Sequence, residues 1–260
     1  MLMTFKQNFI PIACFLLVLT AFGCSMESKP APAAATAIAE NTLTPAEQAA
    51  GWTLLFDGKN ISGWHHYGKT SVGKSWVIDN NTLHLDAQPN KEGHWQTADG
   101  GDLLTDAEYK DFEFSVDWKI DTCGNSGIFF NVVEDTVKYK YGWNSGPEMQ
   151  ILDNPCHPDG KIHKHRAGDL YDLIPCTVET VKPALQWNTA KIVSKGGHLE
   201  QWLNGTQVVE VQMLSPEWDS LIAGSKFKAY AGFGRSASGR IGLQDHGNKV
   251  WFKNIKIRKL

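Results

Sequence analysis

The sequence predicts an all-β domain, a two-sheet jelly-roll β-sandwich with one or two short helices. Three observations carry that prediction. Apolar residues recur with period two, most cleanly where Phe112, Phe114, Val116, Trp118 and Ile120 alternate with Glu113, Ser115, Asp117 and Lys119. Turn chemistry such as Asp79-Asn80-Asn81 and Asn204-Gly205 cuts the chain into about ten to twelve short strands. No strand–helix–strand alternation occurs, so a parallel α/β architecture is excluded.

Residues 1–23 read as a lipoprotein signal peptide. Lys6 supplies the positive start, and Ile10 to Phe22 is apolar apart from Pro11 and Thr20. This run is short for a membrane span and fits a removable leader. Ala21-Phe22-Gly23-Cys24 has the small residues before cysteine expected of a lipobox, which makes Cys24 the expected lipidation site and the cell envelope the expected location. Residues 24–42, rich in Ala and Pro, form a tether, and residues 43–260 form one domain.

Within that domain, Thr44-Pro45-Ala46-Glu47 opens a short helix with a capping box, and Gly51 ends it. Trp52 to Phe56 follows as a strand, with Asp57-Gly58-Lys59-Asn60 as its turn and Ile61 to Trp64 as a loop ending in a buried aromatic. Trp76 to Ile78 and Thr82 to Ala87 make a hairpin. Ile128 to Val133 is apolar enough for the middle of a sheet, and Glu148 to Leu152 puts Glu148 and Gln150 on one face. The stretch from Asp153 to Pro183 is irregular and dense in His, Asp, Gly and Pro, and a loop of that length is usually functional. Three further strands, Trp187 to Ser194, His198 to Leu203 and Thr206 to Val211, precede a helix starting at Ser215-Pro216. A strand at Gly239 to Leu243 ends in Gln244-Asp245-His246-Gly247, and the last strand changes apolar phase near Asn254, which predicts a bulge.

The net charge of −3 provides no basic field for nucleic acid. Cys123, Cys156 and Cys176 permit one disulfide, with no pairing assigned, and match no zinc spacing. His157, His163 and His165 with Asp153, Asp159 and Asp169 offer metal-ligand atoms without a recognisable spacing, so a solvated loop is favoured and a divalent cation is left open. Glu148 and Gln150 read either as acid/base and amide groups able to hold sugar hydroxyls or as surface polar residues, and Gln244-Asp245-His246 either as an active-site edge or as an ordinary polar hairpin turn. Arg166 beside Asp169 reads as an ion pair or a substrate clamp, and loop-borne Trp95 and Trp143 could stack on a sugar ring. No phosphate loop, nucleophile elbow or zinc helix is present.

Several segments, in order, resemble the 3-keto-disaccharide hydrolase domain family. They are Leu55-Phe56-Asp57-Gly58-Lys59 with Gly63-Trp64, Tyr109-Lys110-Asp111-Phe112-Glu113, Asn125-Ser126-Gly127-Ile128, Gly146-Pro147-Glu148-Met149-Gln150-Ile151-Leu152-Asp153 and Gly168-Asp169-Leu170-Tyr171-Asp172-Leu173. Trp187-Asn188, Trp202-Leu203-Asn204-Gly205 and the stretch from Gly239 to Gly247 with Val250, Phe252, Asn254 and Ile255 complete the series. The resemblance implies a concanavalin A-like jelly-roll and a carbohydrate substrate whose C3 hydroxyl a partner oxidoreductase has made a ketone. On this resemblance Glu148 and His246 are expected to be catalytic, one as base at C2 and the other as acid on the leaving oxygen. Asp245 would orient His246 or bind a hydroxyl. Asn125, Gln150, Gln244 and Arg166 would hold hydroxyls or polarise the ketone, with Asp153, His157 and Trp143 as further substrate contacts. A noncatalytic carbohydrate-binding lipoprotein and a direct glycoside hydrolase are the competing expectations.

Overall fold

The computed structural model describes residues 2–4, 39–88 and 94–260. Most of the leader, Cys24 and most of the tether lie outside the described residues. The chain divides into Met1–Ala37 and Ile38–Leu260, and the fold is that of the second unit.

Two antiparallel sheets face each other. The larger contains β1 (Thr53–Leu54), β3 (Trp76–Asp79), β4 (Thr82–Leu85), β6 (Phe112–Ile120), β9 (Asn188–Lys195), β10 (His198–Leu203), β11 (Thr206–Gln212) and β13 (Val250–Lys259). Its order is β11-β10-β9-β6-β13-β4-β3, with β1 also paired to β13. The smaller sheet contains β2 (Trp64–His66), β5 (Leu103–Thr105), β7 (Asn125–Val132), β8 (Glu148–Leu152) and β12 (Arg240–Leu243), in the order β2-β5-β12-β7-β8. Two short helices, α1 (Pro45–Ala49) and α2 (Pro216–Ala223), complete the sandwich.

The core lies between the sheets because alternation sends one set of side chains from each sheet inward. β6 is the plainest case: Phe112, Phe114, Val116, Trp118 and Ile120 are buried, and the residues between them are half-exposed. Ile128, Phe130, Met149 and Ile151 meet them from the smaller sheet. Asn204 and Gly205 both take positive φ (51° and 82°), as the two-residue turn between β10 and β11 requires. α1 starts with the expected capping box, in which the Thr44 hydroxyl accepts from the Glu47 backbone N–H and the Glu47 side chain from the Thr44 N–H.

The bulge in β13 is present. Asn254 has φ of 53°, and the register against β6 shifts between Lys253 and Lys256. On one side of it Trp251 and Phe252 pair with β4, and on the other Lys256 and Ile257 pair with β1. Asn41 fills the bulge: its backbone N–H donates to Asn254 Oδ1, and its Oδ1 accepts from Asn254 N–H. Asn41, placed at the end of the tether, is buried and packs into the sandwich.

Cys123 and Cys156 form a disulfide that ties the β6–β7 turn to the segment after β8, and Cys176 is the free cysteine among the described residues. Trp64, expected at the end of a loop, instead opens β2, whose three residues are all buried, so the strand shows no alternation.

Candidate active site

The site is built on the face of the smaller sheet that points away from the sandwich core. Residues directly opposite in an antiparallel pair share a face. Phe129 lies opposite Glu148 and Gly127 opposite Gln150 in the β7–β8 pair, while Gly242 of β12 lies opposite Phe129. Beyond β12 the pairing continues as the Gln244 N–H donates to Gly127 O. Glu148, Gln150, Gln244 and, two residues before Gly127, Asn125 therefore share this face. Gly127 gives the Glu148 carboxyl its place, because a Cβ there would come 1.9 Å from Glu148 Oε1. Asn125, Gln150 and Gln244 are all buried, and each has a side-chain oxygen without a hydrogen-bond partner. Such groups are uncommon in a finished interior and are available to a ligand.

A cleft of about 300 Å³ opens over this face. Trp95, Trp143, Tyr171, Phe227 and Tyr230 make its aromatic walls, and Glu148, Lys226, Gln244 and His246 its polar groups. The walls are mutually braced. Trp143 stacks on Tyr141 at 5.5 Å and meets Tyr230 edge-on at 5.3 Å, and Trp95 lies 5.4 Å from the His246 ring. The loop after β8 closes the other side: Tyr171 N–H donates to Glu148 O, and Gln150 exchanges backbone hydrogen bonds with Gly168 and Asp169.

The two titratable groups at the centre are displaced in opposite directions. Burial pushes the Glu148 carboxyl well above the usual carboxylate range; Asp102 and Asp159 add to the rise, and Lys226 opposes it. Burial, with His157 adding, holds His246 below its ordinary 6.5. At neutral pH the cleft thus holds a proton donor and a neutral imidazole.

Glu148, Gln244, His246 and Trp143 line the cleft, while Gln150 and Asn125 lie on its sheet face. Asp245 lies behind the wall. It is fully buried, and its carboxylate accepts backbone N–H groups from Thr97, Gly101 and Gly247. It anchors the loop that carries Trp95. Asp102 supports it by accepting the Asp245 N–H, and burial pushes the Asp102 carboxyl up to about 7. Asp153 accepts the Cys123 N–H, and His157 caps a short 3-10 turn, with its ring edge-on to His246 at 6.3 Å.

Arg166 does not line the cleft, and its expected pairing with Asp169 is corrected. Its guanidinium pairs with Glu179 at 2.6 Å, whereas Asp169 accepts backbone N–H groups from Arg166 and Cys176. The histidine-rich loop is also dispersed. His165 is buried between Asp159 and Asp172, and His163 is exposed. Among the described residues, the grouping able to hold a cation is Cys123, Asp153 and Cys156, with ligand atoms within 4.8 Å of one another. The two sulfurs there are joined in the disulfide, which removes the thiolates that a metal would need.

Lys226, Phe227, Tyr230 and Asp102 are parts of the site that the sequence did not point to. Lys226 follows the end of α2, where a lysine ordinarily faces water, and Asp102 precedes a strand too short to show a pattern.

Residues 51–258 match the model of the 3-keto-alpha-glucoside-1,2-lyase-like domain. A 3-keto-disaccharide hydrolase of Bacteroides thetaiotaomicron is 35% identical over 98% of this chain and 99% of its own length. Among solved structures, a Parabacteroides distasonis protein described as a candidate glycosyl hydrolase superposes with a TM-score of 0.76 at 33% identity, covering 85% of this chain and all of that one. A second such protein from the same organism gives 0.59 at 28% identity, over 80% of this chain and 99% of that one. The chain belongs to the 3-keto-alpha-glucoside-1,2-lyase-like domain family and is an enzyme of glycosidic-bond cleavage.

Proposed function

We propose that the protein cleaves glycosides whose C3 hydroxyl has been oxidised to a ketone, by elimination at C1 followed by hydration. A C3 ketone acidifies the hydrogen on C2, so a positioned neutral base can remove it. His246 is that base. The electron pair from C2 moves toward the C3 oxygen and then returns to expel the oxygen on C1, which takes its proton from Glu148. Water adding across the resulting C1–C2 double bond gives free 3-keto sugar. Gln244, Gln150 and Asn125 hold hydroxyls, and Trp95 and Trp143 face the sugar rings. Asp245 acts through the Trp95 loop that it anchors.

One observation carries this reading over direct hydrolysis. Among the described residues lining the cleft Glu148 is the only one with a carboxyl group, and burial displaces it and the His246 imidazole in opposite directions, toward acid and base behaviour. A glycosidase working through an oxocarbenium ion uses a pair of carboxylates across the bond. The test compares turnover of a 3-keto-glycoside with its unoxidised parent. The proposal expects the ketone to react at least about a thousandfold faster, in line with rate differences that transition-state stabilisation produces; equal rates would refute it.

This chemistry requires an oxidoreductase upstream to make the ketone. The lipobox at Ala21-Phe22-Gly23-Cys24 supports a lipid-anchored enzyme in the cell envelope. Cys24→Ser should move the protein from the membrane to the soluble fraction, and retention at the membrane would count against the anchor.

A further inference from the structure

We propose that Lys226 is a catalytic residue, its ammonium carrying the negative charge that develops on the C3 oxygen as the C2 proton leaves. The inference rests on the reading of the cleft as a site that enolises a 3-keto sugar, and it supplies what that chemistry lacks. A neutral imidazole and a neutral carboxyl can move protons, but neither offsets an enolate charge, and an unstabilised enolate is out of reach of a base of this strength.

The geometry around Lys226 leaves its charge unspent. It lines the cleft together with Glu148, Gln244 and His246. Its ammonium is held over the Tyr171 ring at 4.0 Å and lies 5.3 Å from Phe227, so aromatic faces rather than an acid hold it. The backbone beneath is fixed, since Lys226 N–H donates to Asp172 Oδ2 and the Ser225 hydroxyl caps the turn that follows. The carboxylates that could neutralise the lysine are already engaged. Asp172 Oδ1 meets His165 at 3.1 Å, and Asp159 Oδ2 meets both the same ring and the Tyr171 hydroxyl. Burial draws the Lys226 ammonium below the usual lysine range, while the fields of Glu148, Asp172 and Asp159 oppose that fall. Among the described residues no carboxylate lies within ion-pair distance of the Lys226 ammonium, which faces the cleft from over the Tyr171 ring.

The electron flow balances with Lys226 as a spectator to proton transfer. His246 takes the C2 proton, the C2–H pair forms the C2–C3 double bond, and the carbonyl pair settles on the C3 oxygen against the ammonium. That pair then re-forms the carbonyl, the C1–C2 double bond forms, the C1–O bond breaks, and the departing oxygen takes the Glu148 proton. Lys226 keeps all its protons and forms no covalent bond.

The test uses the full-length protein with a 3-keto-glucoside, following both cleavage and exchange of the C2 hydrogen in heavy water. Lys226→Met keeps the length and apolar stem and removes the charge; Lys226→Arg restores a charge. The expected result for Lys226→Met is a loss of about 100- to 1,000-fold in kcat, the size seen on removing one oxyanion donor. Exchange should fall in parallel, KM should change far less, and Lys226→Arg should recover part of the rate. A Lys226→Met protein that folds with an unchanged Tm and retains kcat within about threefold would overturn the assignment, as would loss in KM alone. Borohydride reduction of the working wild-type enzyme should leave Lys226 unmodified; a reduced sugar adduct on it would replace the ionic role by an imine. A wild-type protein inactive on the 3-keto substrate would remove the reading of the cleft itself, whereas an active wild type with an equally active Lys226→Met would remove only this inference.

Discussion

Glu148 sits on a sheet face that water barely reaches, and its proton stays on because the charged form has lost its solvent there. The same burial makes His246 a neutral ring, since an imidazolium would be equally poorly solvated. The pH dependence follows. kcat/KM should rise through the His246 ionisation below 6.5 and fall as Glu148 loses its proton, giving a bell whose alkaline limb vanishes in Glu148→Gln along with most of the rate. Stability gives an independent check. The folded-state value of Glu148 lies above its unfolded value, so the folded protein binds the extra proton and loses stability as pH rises through that interval. Glu148→Gln, which carries no charge in either state, should raise Tm at pH 8 by roughly 2–4 °C, taking about 1 kcal/mol as the relief, and leave it unchanged at pH 4. A Tm that drops at both pH values would show that the carboxyl is held by contacts and not penalised. Period-two alternation alone put Glu148 and Gln150 on one face in the sequence. What it could not say was that this face would be buried, because the covering rings come from elsewhere in the chain.

At the scale of elements, the β7–β8 pair does most of the positioning. Gly127 is the open square on which the Glu148 carboxyl rests, between Gln150 on one neighbouring strand and Gln244 beyond the other. Gly127→Ala would force that carboxyl aside, at a cost of roughly 1–3 kcal/mol for overpacking, and kcat should fall at least about tenfold, a displacement effect of the kind misplaced reacting groups produce. Thermal unfolding and kinetics together check this; wild-type kinetics in the variant would mean that the carboxyl does not need its present place. Strong alternation made β6 and β13 legible, and even the bulge at Asn254 could be read from the change of apolar phase. β2 and β5 were not legible, since Trp64-His65-His66 and Leu103-Leu104-Thr105 are short and buried throughout. The long segment after β8 stood out in the sequence as an irregular stretch of the kind that is usually functional, but its docking through backbone hydrogen bonds of Gly168, Asp169 and Tyr171 with β8 leaves no trace in side-chain type.

For the whole molecule, the sandwich divides the labour. The eight-stranded sheet supplies one wall of the core, and the five-stranded sheet turns its other face into the floor of a cleft. Segments around residues 95, 143, 171, 226 and 246 then converge on that floor. Convergence of this kind is tertiary, which is why Lys226 and Tyr230 were silent in the sequence while the ordered family segments were not. The central claim is that the C2 hydrogen leaves during cleavage, and one measurement tests it most directly. A 3-keto-glycoside cleaved in heavy water, with product analysed at early times, should carry one solvent-derived deuterium at C2 for each bond broken. Product that retains its original C2 hydrogen would contradict elimination and return the cleft to direct hydrolysis.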